Sequence, residues 1–216
     1  MTPFICADPQ TDLSRRLLAR HSQVLSRLRA EISEIAGLGS DSIQPSQAQL
    51  KKMKYLGFVI KESMRLYPPV PVNARTAVRD TTMPVGGGPD GRSPVLIRKG
   101  EVVSYSPYVI HRRKDIYGED ALSFRPERWE DDALKQVGYA YLPFNAGPRN
   151  CLGQRFALLE MSYTIARLIQ LRPYMTGPFD RVMSDVGKEK QILTMVLLSG
   201  EGCRVKVSAE QPTNEL

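Results

Sequence analysis

The decisive stretch of this sequence is Phe144-Asn145-Ala146-Gly147-Pro148-Arg149-Asn150-Cys151-Leu152-Gly153-Gln154. Its two glycines, its proline and its arginine predict a loop that brings one cysteine, Cys151, to the start of a helix. Peptide N–H groups at a helix N-terminus lower the pKa of a nearby thiol from its ordinary value of about 8.5, and the thiolate is the form that binds metals. The stretch therefore predicts a loop that presents a single thiolate to a metal.

The neighbours of Cys151 suit a flat macrocycle that carries acidic groups. Gly147 and Gly153 allow positive φ or a close approach of the backbone to such a macrocycle. Phe144 can screen the sulfur from water, and Arg149 can reach an anionic group such as a propionate. The alternative for an isolated cysteine is a small buried side chain at a helix start. The loop alone leaves both interpretations open.

Composition excludes several classes of protein. The 216 residues contain 30 Lys+Arg and 23 Asp+Glu, a net charge of +7, and are enough for one large domain or two small ones. The basic residues are spread through helical patterns rather than massed, so we predict no nucleic-acid binding.

Three cysteines, Cys6, Cys151 and Cys203, form no Cys-x-x-Cys pair, and only two histidines are present. A zinc site or a disulfide framework is therefore not expected, and a reducing compartment fits better.

The sequence also lacks the usual membrane signals. No apolar run approaches the roughly 18–20 residues that a membrane span needs. The first residues have neither the basic start nor the apolar core of a signal peptide. We predict no membrane span in this chain.

Periodic apolar residues predict three long helices. The first runs from about Ser14 to Ala36 and is closed by glycines. The second begins near Ser46, which has capping-box spacing to Gln49, and ends at Pro68-Pro69. The third follows Cys151 and continues to Pro173.

Short strands broken by turns are predicted elsewhere. The predicted strands are Val70–Val78, Val95–Ile97, Val102–Tyr105, Ile192–Leu198 and Cys203–Val207. The last two are predicted to form a hairpin around Gly200-Glu201-Gly202. The glycine-rich insert 86–91 lacks the Gly-Lys-Ser/Thr ending of a phosphate loop, so we interpret it as a strand connection. Residues 107–143 are predicted to be rich in loops.

Glu62 and Arg65 lie three residues apart on the second helix and share a face with Phe58 and Tyr55. Such a pair is either solvated, with the helix register misjudged, or buried. Burial of an ion pair costs several kcal/mol unless further polar partners complete its hydrogen bonds. The helix alone leaves both alternatives open.

Three motifs together resemble one family. Phe-x-x-Gly-x-Arg-x-Cys-x-Gly at 144–153 resembles the haem-binding loop of cytochrome P-450 monooxygenases. Glu62-Ser63-Met64-Arg65 resembles their Glu-x-x-Arg motif, and Phe124-Arg125-Pro126-Glu127-Arg128-Trp129 resembles their arginine-bearing meander motif. The resemblance implies a mainly α fold with small β-sheets (α+β), corresponding to the C-terminal half of the cytochrome P-450 fold. It would place a partial, haem-proximal domain at 14–207, between a loose N-terminus at 1–13 and a loose C-terminus at 208–216.

The resemblance also implies a cofactor and a site. Haem b would be held by iron ligation to the Cys151 thiolate. Glu62, Arg65 and Arg128 would form a buried structural network behind the haem. The cofactor-binding residues implied by the resemblance are Arg75, Phe144, Gly147, Arg149, Cys151 and Gly153.

The function implied by the resemblance is a haem-thiolate monooxygenase. Electrons from NADPH would arrive through a reductase. The excess of basic residues in this chain would suit the docking of an acidic reductase. One oxygen atom of O2 would enter a small apolar substrate: a fatty acid, an alkane or a secondary-metabolite intermediate. The segments 61–75 and 108–113 are most similar to the fungal group that hydroxylates alkanes and fatty acids. The family is usually anchored in the endoplasmic reticulum membrane, and no anchor is found here.

The chain departs from the family at its oxygen-activating helix. The pattern Ala-Gly-x-Asp/Glu-Thr-Thr is expected before the first helix and is not found, so no catalytic residue is assigned. Arg79-Asp80-Thr81-Thr82 imitates its ending but falls in a strand-like region. We therefore expect a truncated protein. The alternative function is a non-catalytic product, or a half-domain that binds haem or a partner without independent monooxygenase activity.

Overall fold

The computed structural model describes residues 9–176, 191–193, 196–200 and 205–209. Its helices in this part of the chain are α1 Pro9–Arg20, α2 Ser22–Ala36, α3 Gln47–Lys52, α4 Lys54–Leu66, α5 Pro107–Ile110, α6 Lys114–Tyr117 and α7 Gln154–Leu171. Short 3-10 turns occur at Gly39–Asp41, Pro126–Glu130, Asp132–Leu134, Gly138–Ala140 and Gly147–Arg149.

The described strands form small antiparallel pairs. β1 Asn73–Thr76 pairs with β4 Val102–Tyr105, and β2 Thr81–Gly87 pairs with β3 Ser93–Ile97. β5 Tyr174–Thr176 pairs with β8 Lys206–Ser208, and β6 Gln191–Leu193 pairs with β7 Leu197–Ser199. The predicted fold class, mainly α with small β-sheets, is confirmed.

The core lies between α1, α2, α4 and α7, whose apolar stripes face one another. Fully buried side chains from these four helices include Leu18, Leu28, Val59 and Ile165. Burial of each such aliphatic side chain contributes about 1.5–3 kcal/mol. This packing fixes α4 and the part of α7 from Met161 onwards. Both helices contribute to the cavity beside the cysteine loop.

The first predicted helix is wrong as a single element. It is broken at His21, whose backbone has φ −122° and ψ 77°. His21 Nδ1 bonds to the carbonyl oxygen of Leu17 at 2.8 Å, which ends α1 without a proline or a glycine. The helix also begins earlier than predicted, at Pro9, and Gln10 and Thr11 are buried. The prediction of a loose N-terminus at 1–13 is therefore wrong for residues 9–13.

The second predicted helix is correct at its start and interrupted inside. Ser46 and Gln49 form the predicted capping box. The helix breaks at Met53, where ψ is 81°, and α4 then starts with a cap from another helix. Glu31 of α2 accepts hydrogen bonds from the backbone N–H groups of Tyr55, at 2.8 Å, and Leu56, at 2.9 Å. A carboxylate at this position satisfies the free N–H groups of α4 and suits its dipole.

The strand predictions hold only in part. Val70–Val78 shortens to β1, whereas 86–91 forms the connection between β2 and β3, as predicted. The predicted hairpin between Ile192–Leu198 and Cys203–Val207 is wrong. The first of these segments contributes instead to two strands, β6 and β7, which pair with each other. β8 instead pairs with β5, and it includes Ser208, which was predicted to be loose. Cys6, Cys203 and residues 201–202 lie outside the described residues.

None of the helices that the structure describes combines the length and the apolar character needed to cross a membrane.

Candidate functional site

The cysteine loop runs from Leu142 to the start of α7. The backbone N–H of Cys151 donates to the carbonyl of Phe144 at 2.9 Å, and that of Asn150 donates to Gly147 at 3.1 Å. Gln154 N–H approaches the Cys151 carbonyl at 3.4 Å, so the cysteine precedes the helix by three residues. The Cys151 side chain is exposed. The loop therefore holds its backbone by internal hydrogen bonds and leaves the thiol accessible.

Two residues of the loop have left-handed backbone conformations. Gly147 has φ 71°, as glycine permits, and Asn145 has φ 65°. Asparagine tolerates this region better than most residues, and Tyr105 donates a hydrogen bond to Asn145 Oδ1 at 2.6 Å. Gly153 has φ −81°, so the predicted positive φ does not occur at this glycine. The other predicted reason for a glycine here is a close approach of the backbone to a macrocycle.

A cavity of about 620 Å3 opens beside Cys151. Its lining includes apolar side chains from α4, from the loop and from α7, and the thiol shares the wall with them. Pockets for small molecules and cofactors span about 300–1,000 Å3 and are mostly apolar. The residues that line the cavity are Gln10, Met64, Pro69, Val70, Asn73, Pro107, Leu142, Pro143, Phe144, Asn145, Arg149, Cys151, Ala157, Glu160, Met161 and Val196. One accessible thiol in an apolar wall fits a flat cofactor that binds its iron through sulfur.

The structure brings three predicted cofactor residues, Phe144, Arg149 and Cys151, to the cavity. Phe144 is half-buried and packs against the helical core. Arg149 is exposed. Arg75 does not line the cavity: it lies on β1, where its guanidinium donates to Asn73 Oδ1 at 3.1 Å and to the Ala74 carbonyl at 2.8 Å.

Glu62 lies at the centre of a buried polar network and is 0% exposed. Arg65 donates to Glu62 Oε1 at 2.8 Å and to Oε2 at 2.9 Å, and Arg128 donates to Oε1 at 2.8 Å. The carboxylate also accepts from Trp129 Nε1 at 3.0 Å and from the backbone N–H of Arg125 at 3.1 Å. The pair on α4 is therefore buried, and it is completed by further polar partners.

Arg65 extends this network into the backbone. Besides both oxygens of Glu62, it donates to the carbonyls of His111 at 2.7 Å, Ala121 at 2.6 Å and Ser123 at 3.2 Å. Its side chain is 0% exposed. One guanidinium thus ties α4 to three points of the loop-rich segment.

Arg128 has a second carboxylate partner, which the sequence analysis missed. Asp120 accepts from its Nη1 at 3.2 Å and its Nη2 at 3.3 Å, while the Tyr117 carbonyl accepts from Nη1 at 2.8 Å. Burial opposes the charged form of Arg128, but the charge of Glu62 and the hydrogen bonds to both carboxylates outweigh it and raise the pKa of Arg128. The network is therefore built around charged arginines.

His111 is a further buried residue that no motif identified. It is 0% exposed, and its Nδ1 lies 3.2 Å from the carbonyl oxygen of Arg65. Its Nε2 lies 2.7 Å from the backbone nitrogen of Leu142, the residue at which the cysteine loop begins. In the sequence, His111 was noted only as part of 108–113, the segment that resembles the fungal alkane and fatty-acid hydroxylases.

The chain is similar to proteins of one family. The sequence model of the family described as Cytochrome P450 matches residues 16–172. The chain belongs to the cytochrome P450 family. A cytochrome P450 of Arthroderma benhamiae is 58% identical over 193 residues, which are 89% of this chain and 39% of that protein.

Two further cytochrome P450 relatives come from Candida species. Cytochrome P450 52A6 of Candida tropicalis is 50% identical over 165 residues, 76% of this chain and 32% of that protein. Cytochrome P450 52A5 of Candida maltosa is 46% identical over 185 residues, 85% of this chain and 35% of that protein. The chain thus spans between 32% and 39% of the length of these three fungal relatives.

The stability of this cytochrome P450 chain should depend on pH through His111. Burial, followed by repulsion from Arg65 and Arg112, lowers the pKa of His111 from 6.5 to about 4, although its bond to the Arg65 carbonyl opposes the change. The ring of Tyr141 packs against it at 5.2 Å. The unfolded chain binds this proton below about pH 6.5, and the folded chain only below about pH 4, so stability falls as the pH decreases through this window.

We expect His111 to account for a loss of about 2 kcal/mol in the free energy of unfolding between pH 7 and pH 5. Urea unfolding at both pH values would measure it. His111→Gln should lose this part of the dependence, whereas His21→Gln should keep it. Equal pH dependences in wild type and His111→Gln would contradict the assignment.

Proposed function

We propose that this chain binds haem b through the Cys151 thiolate and supplies the proximal side of a haem-thiolate monooxygenase site. The observation that carries the proposal is the position of Cys151: an exposed thiol in the wall of an apolar cavity, on a loop held by its own backbone bonds. Membership of the cytochrome P450 family supports it.

Each residue of the loop has a defined part in this proposal. Cys151 is the iron ligand, and Phe144 excludes water from its sulfur. Gly147 provides the left-handed turn, and Gly153 leaves the start of α7 without a side chain. Arg149 at the cavity pairs with one propionate of the haem.

Arg75 is the second propionate partner in this proposal. Its guanidinium bonds to Asn73, which itself lines the cavity. In this proposal the Arg75 guanidinium leaves Asn73 and the Ala74 carbonyl and turns to the propionate. Arginine suits this task, because its planar fork can bind a carboxylate with two parallel hydrogen bonds.

The bound haem would supply the iron at which O2 is activated, and a thiolate ligand favours cleavage of the O–O bond. The chain's own contribution is to hold the loop that carries the sulfur. The Glu62–Arg65–Arg128 network supports the wall of the cavity, because it fixes α4 and thereby Met64, which lines the cavity.

For the whole enzyme, we propose that NADPH and a reductase supply the electrons and that one oxygen atom enters a small apolar substrate. A fatty acid or an alkane is the favoured substrate class, supported by the similarity of 61–75 and 108–113 to the fungal group that hydroxylates alkanes and fatty acids. A secondary-metabolite intermediate is the other class. The net charge of +7 supports docking of an acidic reductase.

Haem binding without turnover is the second candidate function for this chain. It is favoured by the side chains around Cys151: Leu152 is 100% exposed and Phe156 is 71% exposed. Apolar side chains beside the ligand are then in contact with solvent, whereas oxygen activation needs a dry site.

The ligand proposal is tested by the carbon monoxide difference spectrum of the reduced chain, expressed with a supply of haem. We expect a Soret band of the thiolate-ligated type, and we expect Cys151→Ser and Cys151→Ala to abolish it. The same serine substitution at Cys6 or Cys203 is the matched control and should leave the band unchanged. A soluble, folded chain that takes up no haem would refute the proposal.

Turnover separates the two candidate functions. Product formed from a long-chain fatty acid or alkane, with a reductase and NADPH present, would establish the monooxygenase. A thiolate-type band without product would establish haem binding alone.

A further inference from the structure

We infer that His111 is a positioning residue for the cysteine loop: its imidazole is a hydrogen-bonded link between the last turn of α4 and Leu142. This inference rests on the proposed function, because the loop matters for the iron only if Cys151 binds it. His111 itself does not line the cavity. It acts through Leu142 and not on the cofactor.

The two hydrogen bonds define which ring nitrogen carries the proton. The backbone nitrogen of Leu142 can only donate, so Nε2 of His111 must accept at 2.7 Å. Nδ1 therefore carries the hydrogen and donates to the carbonyl oxygen of Arg65, 3.2 Å away. The neutral imidazole with its proton on Nδ1 is the form that satisfies both partners at once.

His111 is itself fixed to α4 by its backbone. Arg65 Nη1 donates to the His111 carbonyl at 2.7 Å, so side chain and main chain are held by the same helix turn. The ring of Tyr141, the residue before Leu142, packs against the His111 ring with 5.2 Å between the ring centroids, and its hydroxyl donates to the carbonyl of Lys61 at 3.0 Å. The entrance of the loop is therefore held against α4 through neighbouring contacts.

The link continues from Leu142 into the loop. Leu142 is 8% exposed and lines the cavity, and its carbonyl accepts from the backbone N–H of Asn145 at 3.3 Å. Phe144, two residues after Leu142, accepts from the backbone N–H of Cys151 at 2.9 Å. A displacement at Leu142 would thus be passed on to the backbone that holds the cysteine.

Substitutions at His111 can separate the two bonds. His111→Asn keeps a donor near the position of Nδ1 but cannot reach Leu142, whereas His111→Gln places an amide oxygen near the position of Nε2. His111→Phe retains a ring and removes both bonds. His21→Phe makes the same change at the other histidine of the chain and serves as the control.

The first measurement needs no haem. Amide hydrogen exchange of the haem-free chain would follow the N–H groups of Leu142 and Cys151. We expect exchange at both to be about tenfold faster in His111→Asn and His111→Phe, because a buried donor loses its partner and the loop opens more often. His111→Gln and His21→Phe should remain near wild type. Unchanged protection in His111→Asn would overturn the inference, and this comparison remains available if His111→Phe does not fold.

The second measurement concerns ligation. In the reduced carbon monoxide spectrum, His111→Asn should show a thiolate-type fraction several-fold below that of wild type, and His111→Gln should restore it. An equal fraction in all variants would overturn the positioning role. Failure of the proposed function looks different, because wild type would then show no thiolate-type band while the exchange comparison still decides whether His111 holds the loop.

Discussion

Replacing Glu62 with glutamine is expected to lower the free energy of unfolding by about 3–5 kcal/mol. The carboxylate receives donors from Arg65, Arg128, Trp129 and the backbone of Arg125, all in a site closed to solvent. Glutamine removes the negative charge and turns one acceptor atom into a donor that faces other donors. Arg65 then loses the carboxylate with which it pairs, and Arg128 loses one of its two carboxylate partners and keeps Asp120.

Urea unfolding would measure the loss, with Glu130→Gln as the matched control. Glu130 pairs with Arg27 at 2.6 Å, and both side chains are close to half exposed. Exposed pairs of this kind contribute about 0–1 kcal/mol. A loss for Glu62→Gln as small as that for Glu130→Gln would contradict the role assigned to the buried network.

Replacing Arg65 with lysine is expected to cost about 2–4 kcal/mol although the positive charge is retained. Arg65 serves both oxygens of Glu62 and the carbonyls of His111, Ala121 and Ser123. A lysine has three donors at one point and no planar fork, so several of these buried acceptors would lose their partner. The substitution therefore tests the arrangement of the hydrogen-bond donors of Arg65 separately from its positive charge.

Arg125→Lys is the matched control for this substitution. Arg125 pairs with Asp120 at 2.6 Å, with side chains that are 44% and 39% exposed. Solvent can replace the lost donors there, so we expect a change below about 0.5 kcal/mol. If Arg65→Lys were equally mild, charge alone would explain the stabilising effect of Arg65.

The helices were predictable where the signal is local. Ser46 and Gln49 lie three residues apart, so their capping box follows from the sequence. The break at His21 was missed because Leu17, Leu18 and Leu25 continue the apolar periodicity across it. The break at Met53 was missed for another reason: the cap of α4 comes from Glu31, which belongs to a different helix.

Strand pairing was less predictable than strand formation. Alternating residues identify an extended segment but contain little information about its partner. The segment around Val207 was predicted to be extended, yet its partner is β5 and not the preceding strand.

The residues of the candidate site that belong to a sequence motif could be predicted from the sequence. The motifs identified Glu62, Arg65 and Arg128, and the structure places them in one network. His111 and Asp120 were missed because their importance arises from contacts with segments distant in sequence. A buried histidine and a solvated one look alike in a loop-rich segment that has no periodicity.

The same network has a consequence for the order of folding. Glu62 and Arg65 are one helical turn apart and can meet as soon as α4 forms, whereas their other side-chain and carbonyl partners lie between 46 and 67 residues further along the chain. Contacts across such long loops form slowly, because the loss of chain entropy precedes the gain in energy. We therefore expect the Glu62–Arg65 pair to form first, within α4. The hydrogen bonds to Arg128 should form only later, when its segment packs against α4. A network that many hydrogen bonds hold in the native protein is then one of the last parts to assemble.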